Sequence, residues 1–215
     1  MRSPAPTADI DALRAALGGG VVLPYSLAFA PSPQLTAGAL MWPWEHAHRV
    51  LHSWRAWTRS VTDDVTSVAR LVRAPHLAGV APALRGRAFV TIEVAITGEP
   101  GNGRLAALRR LEPEIDTVER VSAEQLLARH VATEGTRAIG EHLLLRALPA
   151  PALDAFLASA GPGSGSELVA AELRPLDGER VAVVGLGVAG DAEQAERVRI
   201  GLRQLARRLA PWTDA

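Results

Sequence analysis

Residues 34–75 read QLTAGALMWPWEHAHRVLHSWRAWTRSVTDDVTSVARLVRAP, and the fold turns on them. Gln34–Trp42 has the composition of a strand. Pro43 stands where a helix begins, and Val50, Leu51, Trp54, Trp57 and Val61 then recur at helical spacing. Thr66–Arg73 is a second strand. A third follows at Arg87–Thr97, where Val90, Ile92, Val94 and Ile96 alternate with Thr91, Glu93, Ala95 and Thr97. Such alternation belongs to a strand with one face on a core and the other turned elsewhere.

On the N-terminal side, residues 1–7 read as a tail, and Asp9 caps a short predicted helix, Ile10–Leu17, ended by Gly18–Gly20. VVLP and YSLAFAP are short apolar runs whose prolines place them at a strand edge or end. On the C-terminal side come a turn at EPGNG, a helix over Arg104–Leu111 and a strand over Ile115–Val121. Ser122 and Gln125 form a capping box for a helix reaching about His130. Glu141–Ala147 is an apolar run that fits helix or strand equally. Pro151–Ala160 is a helix, and Glu167–Arg174 and Arg180–Val188 form a hairpin through Asp177-Gly178. Asp191–Leu209 is an amphipathic helix, apolar at Val198, Leu202, Leu205 and Leu209. Strands in antiparallel pairs with helices between them predict an α+β fold: one antiparallel sheet, helices on one face, two ferredoxin-like halves side by side. The expected organisation is a tail and short helix over 1–24 followed by a single domain over 25–215.

Composition narrows the function classes. The chain has 215 residues, 48% apolar and 21% charged, with 23 basic and 23 acidic side chains and a formal net charge of zero. Every basic residue is arginine and Asn102 is the only asparagine. Acidic and basic residues are interspersed, so no basic stripe exists to neutralise phosphates, and nucleic acid is not an expected partner. The chain has no cysteine, which rules out disulfides, thiolate metal sites and a cysteine nucleophile. The first residues lack the apolar centre of a signal peptide. No run approaches the roughly 20 apolar residues of a membrane span. A cytoplasmic location without membrane contact is the expectation.

Several motifs invite sharper readings. Gly185, Gly187 and Gly190 have dinucleotide-turn spacing between a strand and a helix. A Rossmann unit needs a further parallel strand carrying an acid about 20 residues on, and only APWTDA follows the helix, so the nucleotide reading is rejected. Glu45, His48 and His52 share one helix face at i, i+3 and i+7 and are able to approach one metal ion. That face lies opposite Val50, Trp54 and Trp57, and the favoured reading is a solvated polar face with no metal. His76, His130 and His142 form no ligand-spaced set. GPGSGS (Gly161–Ser166) is a linker, because no lysine follows it and no helix begins at its end. Trp54 and Trp57 are expected in the core, and Trp42 is the tryptophan carried into a site.

Taken together, LMWPWEHAHRVLHSWRAWTRSVTDDVTSVARL, LRGRAFVTIEVAITGEP, HLLLRALPAPALDAFLASAGPGSGSELVAAELRPLDG and VAVVGLGVAGDAEQA resemble consecutive parts of one domain. It is the substrate-binding domain of berberine-bridge-type FAD-linked oxidases, and the resemblance covers about Tyr25–Trp212. It implies that FAD does the hydride chemistry in the family while the protein binds and orients. It also implies that a flavin-holding domain, which in the family stands between segments like Pro24 and Tyr25, is missing at that junction. Many members attach flavin through a histidine and a cysteine of that domain, and this chain has no cysteine. The family's catalytic glutamate falls near Ala182, Val183 and Val184, none of which takes a proton. No cofactor is therefore expected in this chain, with FAD belonging to the resembling family.

What the resemblance leaves is a sheet face. With helices over Val90, Ile92, Val94 and Ile96, Thr91 and Glu93 turn to the other side, and Arg70, Glu172 and Arg174 join them. Glu93 is the candidate acid/base residue; Trp42, Arg70, Thr91, Glu172 and Arg174 are the candidate substrate-binding residues. Two functions of different class follow. One is a flavin-free protein that binds a small organic molecule and catalyses a non-redox step such as a cyclisation or isomerisation. The other is a non-catalytic remnant or accessory subunit, pairing with a flavoprotein or forming a homodimer through that face. An abridged form of an FAD-dependent oxidoreductase stands as a third.

Overall fold

The structure, a computed structural model, describes residues 35–74, 85–97, 103–122 and 138–213. The tail over 1–7, the predicted helix over 10–17, the apolar runs between 21 and 31, residues 99–102 of the EPGNG turn and residues 123–130 of the predicted capping-box helix lie outside these, as do His76 and His130. The first half runs β1 (Leu35–Pro43), a 3-10 turn (Trp44–His46), α1 (Ala47–Thr58), β2 (Val65–Arg73), β3 (Ala88–Ile96), a one-turn α2 (Ala106–Arg109), β4 (Ile115–Asp116) and β5 (Glu119–Val121). The second half runs β6 (Ala138–Leu145), α3 (Ala150–Ala160), β7 (Ala170–Pro175), β8 (Val181–Val188), α4 (Ala192–Leu209) and a closing 3-10 turn (Ala210–Trp212). The strands form one sheet in the order β4-β1-β3-β2-β7-β8-β6, with β5 also on β1.

Every pairing in the sheet is antiparallel. In each half the third strand lies between the first two: β3 between β1 and β2, β8 between β6 and β7. The helix after the first strand thus crosses over a strand that is inserted later, the split β-α-β of a ferredoxin-like unit. The first half completes its unit with β4 and β5 beside β1. In the second half the equivalent place beside β6 is marked by a single bridge, Leu145 to Thr213. The halves meet where β2 pairs β7, from Ala69–Leu173 to Val72–Ala170. The α+β architecture with two ferredoxin-like halves is as the sequence patterns predict.

Two segments differ from expectation. The strand expected over Ile115–Val121 is broken in the middle. Thr117 turns its backbone N–H (2.9 Å) and its hydroxyl (3.2 Å) to the carbonyl of Ala39, and the same hydroxyl accepts from the Ala39 N–H at 3.0 Å. The crossing is so close that a Cβ on Gly38 would lie 2.4 Å from the Thr117 carbonyl oxygen. The ambiguous run after Glu141 is the strand β6. Turn chemistry behaves as read: Gly178 takes the left-handed conformation (φ 72) its hairpin needs. Asp191 accepts from Gln194 N–H at 2.7 Å, while the Gln194 side chain accepts from Gly190 N–H at 2.7 Å.

All four described helices lie on one side. From α1, Val50, Leu51, Trp54 and Trp57 are buried, as are Val198, Leu202, Leu205 and Leu209 from α4. With Val90, Ile92, Val94 and Ile96 of β3 they form one continuous core that spans both halves. Each indole N–H of the buried tryptophans finds an acceptor: Trp42 the Leu111 carbonyl (3.0 Å), Trp54 the Ser67 hydroxyl (3.1 Å), Trp57 the Arg104 carbonyl (2.7 Å). Arg104 in turn pairs with Asp64, whose carboxyl the Thr62 hydroxyl and the Arg104 guanidinium hold below its ordinary value of 3.8.

The glycine motif has a packing explanation. Gly185 and Gly187 lie inside β8 and face α4, where a Cβ would come within 2.7 Å of Leu202 and 2.3 Å of Val198 respectively. They bring helix and sheet together, and the strand they sit on is antiparallel to both neighbours, which removes the Rossmann geometry. Gly187→Ala is expected to destabilise the protein by about 1–3 kcal/mol through overpacking. Gly103→Ala, at a position where a Cβ meets nothing within 4 Å, is the matched control in chemical denaturation; equal midpoints for the two variants would refute the close-packing role.

Candidate functional site

Strand register sets the chemistry of the sheet face turned away from the helices. Each pairing places opposed residues on the same side, so a line can be followed across six strands. Met41 opposes Thr91, Thr91 opposes Arg70, Arg70 opposes Glu172, Glu172 opposes Val184, and Val184 opposes His142. Glu93 lies one step along β3 from Thr91 and Arg174 one step along β7 from Glu172, both on this side. The sequence supports this locally. In VARLV and AAELRP the charged residues alternate with Ala69, Leu71, Ala171 and Leu173, each 1% exposed or less on the helix side.

At the centre stands an alternating row of charge. Arg70 pairs through Nη1 with Glu93, and its Nε lies 2.9 Å from a Glu172 oxygen. That Nε makes no hydrogen bond, so this second contact is between charges and not along the N–H direction. The other Glu172 oxygen lies 3.5 Å from Arg174 Nη2. The order Glu93, Arg70, Glu172, Arg174 is formally neutral. Side-chain exposures of 30, 20, 12 and 25% leave each group partly sheltered and still reachable. Beside them Thr91 is 5% exposed, and its hydroxyl is buried with no hydrogen-bond partner among the described residues. A buried hydroxyl left unmatched costs roughly 1–3 kcal/mol, and such a group calls for a partner such as a water or a ligand.

Five of the six residues picked from sequence are thereby brought together: Arg70, Thr91, Glu93, Glu172 and Arg174. Trp42 is not. It opposes Val90, is 0% exposed and belongs to the helix-side core; at the end of β1, alternation from Leu40 turns it inward with the core residues. Val184 also shares the line, with Met41 and His142, which were missed by sequence reasoning. For Met41 the alternation of β1 was the available signal; for His142 it was the unresolved assignment of β6. Ala182 and Val184 face the charged row and Val183 the helices.

Elsewhere, a cleft of about 440 Å³ on the helix side is lined by Trp57, Thr62, Arg104 and Arg110, among others. It is remote from the charged row, and its Arg104 is already engaged by Asp64. No helix among the described residues is long and apolar enough to cross a membrane.

No protein-family model and no curated protein matches the sequence. Solved structures do match the fold. Berberine bridge enzyme from Eschscholzia californica aligns with a TM-score of 0.59 at 12% identity, over 84% of this chain and 41% of that one. Physcomitrella patens BBE-like 1 aligns with a TM-score of 0.64 at 10% identity, over 85% and 44%. A variant of Phl p 4, described as a glucose dehydrogenase, aligns with a TM-score of 0.60 at 9% identity, over 85% and 41%. The chain thus has the fold of a part of berberine bridge enzyme and BBE-like proteins, and spans less than half the length of each.

Proposed function

We propose that this chain is a flavin-free relative of the substrate-binding domain of FAD-linked oxidoreductases, and that its charged sheet face binds a small, uncharged, hydrogen-bonding organic molecule. The observation that carries the reading is the buried, unmatched Thr91 hydroxyl beside the neutral row of Glu93, Arg70, Glu172 and Arg174. A row with no net charge and both signs within one molecule's width favours a ligand with several donors and acceptors over an anion or a cation. Glucose, a molecule of that kind, appears in the description of one fold relative, the Phl p 4 variant called a glucose dehydrogenase. Met41 and Arg70 stand on either side of Thr91, so a ligand that lifts one of them meets the hydroxyl. Glu93, the more exposed of the two carboxylates in the row, is the residue placed to take a proton from such a ligand. A non-redox cyclisation or isomerisation of a held conformer needs no more than that.

The described residues of the charged face and the glycine turn do not suit a flavin dinucleotide. A pyrophosphate needs converging backbone amides or cations to neutralise it. Among the described residues the glycine turn is closed by Leu202 and Val198, and Arg70 is held by two carboxylates. Val184 and Ala182 of β8, facing the row, offer no proton-transfer group.

The test pairs a spectrum with a binding assay. Purified protein is expected to show no flavin absorption band. Glucose and a panel of neutral phenols and polyols are expected to include compounds that raise the melting temperature. Thr91→Val is expected to stabilise the free protein by about 1 kcal/mol, by removing an unmatched hydroxyl, while weakening binding tenfold or more. A stoichiometric flavin band would end the flavin-free reading. Unchanged binding by Thr91→Val would remove the site. A dimer that dissociates on Arg70→Glu, with no compound bound, would replace both with self-association through this face.

A further inference from the structure

The geometry points to a second site, for a divalent transition-metal ion, on the helix layer between the two halves. His48 and His52 are one turn apart on α1, so both project from the same stripe of the helix. Their rings lie 4.4 Å apart, tilted by 31°. Both direct Nε2 at one carboxylate oxygen, Asp154 Oδ1 on α3, at 3.6 Å from His48 and 2.8 Å from His52. One donor atom from each of the three residues lies within 4.8 Å of the others.

These separations suit a metal. An ion bound tetrahedrally at about 2.0–2.1 Å from nitrogen and oxygen holds its ligand atoms roughly 3.4 Å apart. The distances of 3.6 and 2.8 Å to Oδ1 bracket that value, and small rotations about the side-chain bonds complete the triangle. A simple helix–helix hydrogen bond requires one histidine, and His52 supplies it. His48 is left 75% exposed, stacked on His52 with its Nε2 turned to the same oxygen. The donor set also selects the ion. Two imidazoles and one carboxylate suit zinc, cobalt, nickel or copper, whereas calcium and magnesium prefer oxygen ligands throughout.

The site is open on one side. Side-chain exposures of 75, 26 and 54% for His48, His52 and Asp154 leave room for water to complete the coordination. Three protein ligands and an open position is the arrangement of exchangeable or reactive metal sites, not of closed structural ones. Because α1 belongs to the first half and α3 to the second, the ion clamps the halves together across the helix layer. Sequence spacing had grouped Glu45 with the two histidines; the structure exchanges it for Asp154, 102 residues from His52. That exchange changes the reading, since His52 faces a carboxylate on another helix and not water alone.

The experiment uses the full chain, stripped with chelator and titrated with zinc chloride in a calorimeter. The expected result is one equivalent of zinc and a rise in melting temperature that chelator reverses. His48→Ala and Asp154→Asn are each expected to weaken binding at least about tenfold, since loss of even an outer-shell partner costs 10–100-fold. His48→Ala changes an exposed side chain, so its melting temperature in chelator should equal that of the unaltered protein and fixes the effect on the metal alone. Cobalt in place of zinc is expected to give visible bands that the His48/His52/Asp154 triple variant lacks. No zinc uptake would overturn the assignment, and so would uptake that the triple variant keeps.

Discussion

Trp42→Ala is expected to cost about 3–5 kcal/mol of stability, the range for removing a fully buried aromatic side chain. The indole is 0% exposed and its N–H donates to the Leu111 carbonyl. That carbonyl also accepts from Arg49 at 3.1 Å, so the loss is chiefly the cavity and not an abandoned acceptor. Trp42→Phe keeps most of the volume and should cost about 1–2 kcal/mol. Chemical denaturation of the two variants checks this, and the ligand assay separates core from site. Trp42→Phe should bind any ligand of the charged face as the unaltered protein does. A wall residue of that site would instead lose binding while leaving stability nearly intact.

The second large effect concerns Arg70. Arg70→Met removes the cation between Glu93 and Glu172, and the two carboxylates then face each other in a partly sheltered row. Breaking one member of such a network is expected to cost about 2–4 kcal/mol, because the two carboxylates lose the cation they share and keep their desolvation cost. Removing the charges together is different. Arg70→Met combined with Glu93→Gln, Glu172→Gln and Arg174→Met should return to within about 1 kcal/mol of the starting protein. If Arg70→Met alone is neutral, the row is a screened surface feature and loses its claim to be a site.

Much of the fold was legible because period and punctuation agreed. Val90, Ile92, Val94 and Ile96 alternate without a fault, Trp54 and Trp57 keep helical spacing, and Asp177-Gly178 makes the turn its chemistry requires. What stayed hidden depends on partners far along the chain. The kink at Thr117 exists because its hydroxyl meets Ala39, and nothing within Ile115–Val121 announces it. Strand β6 is illegible because its two faces differ little in polarity: Leu144 is 37% exposed on one and Leu145 fully buried on the other. The charged row was readable as a set of alternating residues once the helix face was assigned. Trp42 was misplaced because a tryptophan beside a proline at a strand end reads as well for a pocket as for a core. The Asp154 partner of His52 belongs to another helix and has no local signal.

The seam between β2 and β7 carries a consequence for how the molecule holds together. Its ladder has four opposed pairs, against nine between β2 and β3. Each lobe also shelters its own sheet surface with its own helices. Cooperativity between the lobes must therefore pass through this narrow stitch and the helices packed above it. Lesions near Ala69–Val72 should weaken the coupling between the lobes more than equal damage inside either one.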